Sequence, residues 1–140
     1  MSLHLIKLAV GVDDLSNLKA LQTERRQSQP DGKLRHFTRH MPRRGNEILD
    51  GGSIYWVVRG FVAVRQRIVA LEEADGRRKD KRCALVLDPK LVATELQPRR
   101  PHQGWRYLTS DQAPKDLAGK SAKARLPPRL AAELRELGLL

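Results

Sequence analysis

The stretch that decides the fold is DGGSIYWVVRGFVAVRQRIVAL, residues 50–71. It is rich in β-branched and aromatic residues and begins with turn formers, a composition typical of paired strands. It predicts one strand over residues 53–59, a break at Gly60 and a second strand over residues 61–71. We therefore expect a strand pair at the centre of the fold.

Alternation along the second strand assigns its side chains to the two sides of a sheet, because successive side chains point in opposite directions. The expected core-facing residues are Val62, Val64, Gln66, Ile68 and Ala70. Arg65 and Arg67 share the other side, which we expect to face solvent or a ligand. In the first strand Trp56 alternates with apolar neighbours and is expected in the core.

The flanking sequence predicts more strands, with few long helices between them. Further strands are expected at 3–10, 33–40, 83–87 and 91–96, and helices at 14–27, 43–49, 115–118 and 129–137. Asp75-Gly76 predicts a hairpin turn. This order favours an α+β fold with a small, strongly curved, mostly antiparallel sheet or open barrel and flanking helices. We expect residues 1–117 to form a single domain, followed by a connector and a C-terminal amphipathic helix over residues 118–140.

The composition is strongly basic, with 27 Lys and Arg against 16 Asp and Glu, a formal net charge of +11 over 140 residues. Such a balance attracts polyanions, of which nucleic acid is the commonest. Acidic membrane surfaces and acidic proteins are alternatives, and so is a charge that only keeps the protein dispersed. The amino terminus lacks a signal-peptide or spanning pattern, and one cysteine excludes an internal disulfide. We expect a cytoplasmic protein that does not enter a membrane.

Several kinds of chemistry lack the residues that they need. Gly51-Gly52 is too short for a phosphate-binding loop and is not followed by a lysine and a helix. Cys83 lies in the apolar run CALVL and is expected to pack as a small hydrophobic residue. His36 and His40 could share one face, but a zinc site needs about three or four ligands and no CxxC or HExxH accompanies them. We therefore expect no metal and no cofactor.

Arginine and aromatic residues cluster before, on and after the strand pair. The candidate nucleic-acid-binding residues are Arg35, Arg39, Arg65, Arg67, Arg99, Arg100, Trp105, Arg106 and Tyr107. A guanidinium group can hold phosphate with two hydrogen bonds, and an aromatic ring can stack an unpaired base for about 1–3 kcal/mol. The run QPRRPHQGWRYL, residues 97–108, predicts a rigid basic loop. Trp105 either faces a ligand or anchors this loop.

Long blocks of the chain resemble one family. They are LIKLAVG, RHFTRHMPRR, ILDGGSIYWVVRG, RQRIVALEE, RCALVLDPKLV, QPRRPHQGWRYL and DQAPKDL. Together they resemble a family of short alphaproteobacterial proteins known only as a domain of unknown function. The resemblance covers most of residues 3–117 and implies no activity, substrate or catalytic residue.

A looser resemblance concerns the middle of the chain. A helix, an Asp-Gly turn, the strand SIYWVVRG and the returning strand VAVRQRIVALEE are similar to the middle of PUA-like domains, including the ASCH and EVE branches. Those domains are small curved-sheet barrels that bind RNA or modified bases. The resemblance therefore implies a PUA-like barrel and an RNA or nucleotide ligand.

The leading hypothesis is a nucleic-acid-binding module for RNA or a modified nucleotide, acting through the arginine clusters and the aromatic loop. One alternative is an enzyme acting on a phosphate-bearing small molecule. Its arginines would be Arg65, Arg67 and Arg106, and its proton-transfer groups Asp50, Glu72 or His36. Another alternative is an adaptor that docks through a C-terminal helix bearing Leu130, Leu134 and Leu137.

Overall fold

The computed structural model describes residues 2–74 and 82–140. The strands are β1 (Leu3–Leu8), β2 (Leu34–Thr38), β3 (Ser53–Val58), β4 (Phe61–Glu73), β5 (Cys83–Leu87), β6 (Val92–Pro98) and β7 (Trp105–Thr109). The helices are α1 (Leu15–Gln27), α2 (Gly45–Leu49), α3 (Lys120–Ala124) and α4 (Pro128–Glu136). The turn predicted at Asp75-Gly76 lies outside the described residues.

The strands form one open sheet in the order β2-β5-β4-β3-β1-β7, and β6 also pairs with β4. The pair of β1 and β3 is parallel, and the other pairs are antiparallel. The predicted strand pair is confirmed as β3 and β4. At Gly52, just before β3, the backbone lies very close to Leu3 and Ile48. Only glycine fits there, because a Cβ atom would collide with the carbonyl oxygens of those two residues. The α+β class and the mostly antiparallel open sheet are as predicted.

The sheet curves towards one face, which we call the inner face. It carries Leu5, Ile54, Trp56 and Leu85, and residues of α1, α2 and α4 pack into the same core. The rings of His36 on β2 and Trp56 on β3 meet edge to face with centroids 5.1 Å apart, although β5 and β4 lie between their strands. The predicted strong curvature is therefore present.

The opposite face, which we call the outer face, carries a smaller core. Its buried residues are Ile6, Tyr55, Val57, Val62 and Leu108. Residues paired across neighbouring strands project to the same side of a sheet. Arg65 is paired with Tyr55, and Arg106 with Ile6, so both arginines lie on the outer face.

Two register shifts in β4 overturn part of the predicted alternation. Val64 pairs with Trp56 but Val62 pairs with the next residue, Val57, which leaves Ala63 as an extra residue. A bulge of this kind reverses the phase of the strand. Val62 consequently packs in the outer core and Val64 in the inner core.

The second shift leaves Val69 as the extra residue of β4, since Ile68 pairs with Leu87 and Ala70 with Val86. Leu71 then pairs with Leu85 and packs on the inner core. The shared side predicted for Val62, Val64 and Ala70 is therefore wrong. The prediction for Val64, Gln66 and Ile68 is right, because no shift separates them.

The segment predicted as a loop at residues 97–108 contains a strand instead. Residues 105–109 form β7, which pairs antiparallel with β1 and places Trp105 opposite Lys7. The segment WRYLT has the aromatic and β-branched composition that fits a sheet edge. The exposed edge of β1 supplies the hydrogen-bonding partner that the local sequence does not reveal.

The helix predicted near residues 115–118 is also wrong. The Glu95 amide donates to the Lys115 carbonyl oxygen at 2.8 Å, and the Leu117 amide donates to the Ala93 carbonyl oxygen at 2.9 Å. Thr94 and Asp116 form an isolated antiparallel bridge between these bonds. The segment is therefore extended along β6, and α3 begins only at Lys120.

The closing helix α4 packs on the inner core through Leu130 and Leu134, which are buried. Its Glu133 carboxylate accepts a hydrogen bond from the Leu15 amide at 3.0 Å and forms an ion pair with Arg59 at 2.8 Å. The helix is thus tied both to the start of α1 and to the turn between β3 and β4.

Candidate nucleic-acid interface

A cavity of about 500 Å³ lies between α1 and strands β1, β2 and β3, and we call it the inner cavity. Basic side chains in its lining are Lys7, Arg25 and Arg35. Among the described residues that line it, none is Asp or Glu. Ligand pockets commonly have about 300–1,000 Å³ and combine apolar walls with a few polar groups. Leu18, Leu21 and Trp56 contribute apolar wall here, so the inner cavity suits an anion with an apolar part.

Arg35 is held in a fixed position at the cavity wall. Its guanidinium group donates to both carboxylate oxygens of Asp31 at 2.9 and 2.7 Å, to Glu72 at 2.8 Å and to Gln29 at 2.8 Å. The hydrogen bonds with Asp31 and then Glu72 raise the pKa of Arg35, and the Arg35 bond lowers the pKa of Asp31. Arg35 is therefore rigid and charged, but two carboxylates outside the lining balance its charge.

Arg25 and Lys7 differ from Arg35 in their surroundings. Arg25 is exposed in the last turn of α1 and makes no ion pair with any residue in the described ranges. Lys7 is buried on the inner face, where β1 places it between Trp56 of β3 and Trp105 of β7. Arg25 is consequently the lining cation that a ligand can reach without displacing a carboxylate.

A buried amide network includes Gln22 and Trp56, which line the inner cavity. The side chains of Gln22 and Gln66 exchange two hydrogen bonds at 2.7 and 2.8 Å, and Trp56 Nε1 donates to Gln66 Oε1 at 2.7 Å. Gln66 Nε2 also donates to the Asp88 carbonyl oxygen at 3.2 Å. Because Gln66 is fully buried, these bonds fix α1 against β3 and β4 beneath the cavity.

Trp105 and Tyr107 hold the segment that follows β2. Trp105 Nε1 donates to the His40 carbonyl oxygen at 2.9 Å, and the Arg44 amide donates to the Tyr107 hydroxyl at 3.2 Å. The Arg44 guanidinium carbon lies 5.6 Å from the centre of the Tyr107 ring. Since β2 and β7 are the two edge strands, these contacts link the margins of the open sheet. The indole N–H of Trp105 is therefore hydrogen-bonded within the protein.

Arg65, Arg67 and Arg106 lie on the outer face, away from the inner cavity. Arg65 forms a bidentate ion pair with Asp116, with distances of 2.7 and 2.8 Å. This hydrogen bonding raises the pKa of Arg65 and lowers the pKa of Asp116. Arg106 is three strand spacings from Arg65, which is about 14 Å along the sheet.

The remaining predicted residues lie on connections. Burial and then the charges of Arg106 and Arg99 lower the pKa of His102. Arg39 and Arg100 are exposed. The structure thus places Arg35 at the inner cavity, Trp105 and Tyr107 at the sheet margin, and the other candidates on the outer face or on exposed connections.

Other candidate chemistry is also located by the structure. Cys83 is fully buried, and burial raises the pKa of its thiol to about 11, so it packs as a small hydrophobic residue as predicted. Within residues 2–74 and 82–140, no three His, Cys, Asp or Glu side chains gather closely enough to hold a metal ion. His36 lines the inner cavity and Glu72 bonds Arg35, so neither joins the outer-face arginines.

Lys7 and Arg25 are cavity residues that the sequence interpretation missed. Lys7 carried a usable signal, because it continues the alternation of Leu3 and Leu5 and therefore marks a cation on a core-facing position of a strand. Arg25 carried none, since an exposed arginine near the end of a helix is common and favourable there. Only the packing of α1 over the sheet places it beside Arg35.

A family model described as a protein of unknown function, DUF1489, matches residues 5–140. The chain belongs to the DUF1489 family. The predicted membership of a domain-of-unknown-function family is confirmed, and the DUF1489 match includes α3 and α4, beyond the blocks that carried the resemblance. No curated protein and no solved structure matches the chain. The PUA-like resemblance therefore stays a prediction. Among the described residues, no helix is long and apolar enough to cross a membrane.

Proposed function

We propose that this DUF1489 protein binds RNA and receives one unpaired nucleotide, modified or unmodified, in the inner cavity. The observation that carries the proposal is the lining of that cavity. Three basic side chains meet apolar wall there, and the described lining contains no carboxylate, although Asp31 and Glu72 outside it balance the charge of Arg35. A nucleotide has the matching chemistry, because its base is flat and largely apolar while its phosphate is anionic.

The charge of the whole chain supports an extended polyanion as the ligand. A net charge of +11 favours encounter with RNA at low ionic strength. Exposed arginines on the outer face and its connections can contact phosphates that lie outside the cavity. The cavity itself admits an unpaired base, whereas bases stacked in a duplex stay inside the helix. The proposal thus predicts a preference for single-stranded or looped RNA.

The test compares single-stranded and duplex RNA over a series of KCl concentrations. The slope of log affinity against log salt for single strands is about −0.7 for each phosphate neutralised. Arg25→Gln is expected to weaken binding severalfold and to reduce the magnitude of the slope by about 0.7, because it removes one phosphate contact. Arg129→Gln makes the same charge change on exposed α4 and is the matched control.

A second variant tests the cavity rather than the charge. Leu21 lines the inner cavity, so Leu21→Trp is expected to fill it and to abolish the preference for single strands. Leu49→Trp adds the same ring at a side chain that is 39% exposed elsewhere and controls for the new indole. Absence of binding at low salt, or equal effects of Arg25→Gln and Arg129→Gln, would contradict the proposal.

The apolar stripe required for an adaptor helix is occupied, because Leu130 and Leu134 are buried in the inner core. Of the proton-transfer groups that the enzyme hypothesis names, His36 lies at the inner cavity and Glu72 bonds Arg35, so these two do not lie beside the outer-face arginines. RNA binding needs neither arrangement.

A further inference from the structure

A second hollow, of about 270 Å³, lies on the outer face, and we call it the outer hollow. It is bordered by β1, β3, β4 and the segment over residues 110–116. Its polar lining includes His4, Ser53, Arg65, Ser110, Lys115 and Asp116. These residues do not line the inner cavity, so the outer hollow is a separate candidate site.

Arg65 is the fixed cation of the outer hollow. Arg65 pairs with Tyr55 on β3 and with Val92 on β6, so neighbouring strands hold β4 on both sides at this residue. Its Nη1 donates to the hydroxyl of buried Ser53 at 3.1 Å. The planar guanidinium therefore presents Nε and Nη2 in a fixed direction, which is the arrangement that binds a two-oxygen anion.

In the structure the Asp116 carboxylate occupies the anion position on Arg65. It is the more exposed member of this ion pair. Its side chain is 52% exposed, against 24% for Arg65. The backbone around it is already held by the hydrogen bonds of Lys115 and Leu117 to β6. The ion pair is therefore not needed to hold the segment. The Asp116 side chain can turn to solvent when another anion takes its place on Arg65.

The His4 and Ser110 side chains at the hollow are held by hydrogen bonds within the protein. The Ser53 amide donates to His4 Nδ1 at 3.0 Å, so the proton of the neutral imidazole lies on Nε2. Burial and then the Arg65 charge lower the pKa of His4, which keeps the ring neutral. His4 Nε2 lies 3.3 Å from the Ser110 hydroxyl, which donates to the Ser2 carbonyl oxygen at 2.8 Å.

The same tautomer excludes one enzymatic use of this pair. A serine nucleophile needs an unprotonated histidine nitrogen to take its proton. Here the nitrogen beside Ser110 carries the proton, and the Ser110 hydroxyl is already directed at a backbone carbonyl. The arrangement therefore does not activate Ser110 as a nucleophile.

We propose that the outer hollow binds a small molecule through a carboxylate or phosphate group, which replaces the Asp116 carboxylate on Arg65. Arg65 supplies two N–H donors to the anion, and Lys115 adds positive charge at the rim. Of the described lining residues, Asp116 is the acidic one, so its departure leaves the hollow positively charged. This inference does not depend on RNA binding in the inner cavity.

The test uses inorganic phosphate and acetate as separate probes, with chloride keeping the ionic strength constant. Binding is followed by the shift of Arg65 side-chain and nearby amide signals in NMR spectra and by stabilisation against unfolding. Asp116→Asn removes the competing carboxylate and is expected to tighten binding of at least one probe severalfold, because the anion no longer has to displace a bidentate partner of Arg65. Asp111→Asn gives the same charge change at an exposed position that does not line the hollow.

Arg65→Gln is expected to abolish saturable binding, and circular dichroism checks that this variant folds. Tightening by Asp116→Asn but not by Asp111→Asn supports the proposal without relying on the Arg65 variant. The proposal allows either probe or both to bind, and the probe that binds more tightly identifies the anionic group that the hollow prefers. Equal affinities of the two Asn variants, or no saturable binding of either probe to Asp116→Asn, overturns the proposal.

Discussion

Replacing Gln66 by leucine tests whether the buried amide network stabilises the fold around Gln22 and Trp56, which line the inner cavity. Gln66 is fully buried, and its amide bonds Gln22, Trp56 and the carbonyl of Asp88. Leucine has a similar volume but makes none of these bonds. The variant therefore separates the loss of hydrogen bonding from the creation of a cavity.

The expected cost follows from the groups that lose their partners. A buried donor or acceptor without a partner costs about 1–3 kcal/mol. The Trp56 ring is packed in the inner core and cannot turn its N–H to another partner, so its full penalty applies. Gln22 lines the inner cavity and can turn its amide towards water, which reduces its penalty. We expect Gln66→Leu to lower the free energy of unfolding by about 3 kcal/mol.

A double-mutant cycle with Gln22→Leu isolates the reciprocal amide pair. Gln22→Leu alone leaves Gln66 bonded to Trp56 and to the Asp88 carbonyl, so we expect it to cost about 1 kcal/mol. The double variant removes both amides and is expected to be about 1–2 kcal/mol more stable than the sum of the single effects predicts. Urea unfolding monitored by circular dichroism gives the four free energies.

The control for this cycle is Gln27→Leu, which makes the same substitution at an exposed position of α1. It should change the free energy of unfolding by less than about 0.5 kcal/mol. A similarly small effect of Gln66→Leu, or simple additivity of the two network variants, would refute the reasoning. Either result would mean that the Gln22 and Gln66 amides do not stabilise the fold through their hydrogen bonds to each other.

Two further predictions concern stability. Because the folded-state pKa of His4 is lowered from 6.5, its contribution to the free energy of unfolding is complete above pH 6.5 and is lost as the pH falls through the lowered value. His4→Asn keeps an acceptor for the Ser53 amide but cannot titrate, so unfolding measured at pH 7, 6 and 5 should show a smaller loss of stability than in the unmodified protein. The pKa of His102 is also lowered, so His4→Asn should still lose some stability between pH 7 and pH 5. If His4→Asn loses as much stability as the unmodified protein, titration of His4 does not cause the loss. Glu133→Ala removes the acceptor for the Leu15 amide and the ion pair with Arg59, and should cost about 2 kcal/mol of unfolding free energy. Glu136→Ala, at an exposed position of the same helix, should cost less than about 0.5 kcal/mol, and equal costs would show that the Glu133 contacts do not stabilise α4.

The parts of the fold that the sequence predicted correctly are those fixed by local patterns. The strands β3 and β4 follow from a run of β-branched and aromatic residues, and α1 follows from Asp14, whose side chain accepts from the Asn17 amide at 2.7 Å as an N-cap. The bulges at Ala63 and Val69 had no such signal, because neither position has the glycine or proline that marks many irregularities.

The errors and omissions arise from contacts between distant parts of the chain. The strand β7 pairs with β1, about a hundred residues earlier, while its own surroundings are rich in proline and arginine. The extended segment around Asp116 is likewise determined by β6 and not by its own helix-compatible composition. The inner cavity joins side chains of β1, α1 and β2, and local patterns do not specify which of many basic residues converge.

Strand β4 connects the two candidate sites. Arg65 faces the outer hollow, and its neighbour Gln66 bonds Gln22 and Trp56, which line the inner cavity, because adjacent side chains of a strand point to opposite faces. No register shift separates these two residues, since the bulges lie at Ala63 and Val69 on either side of them. A change of register within this short stretch would exchange the faces and destroy both sites together. Because the bulges lie outside this stretch, Arg65 and Gln66 keep a regular register and stay on opposite faces of the sheet.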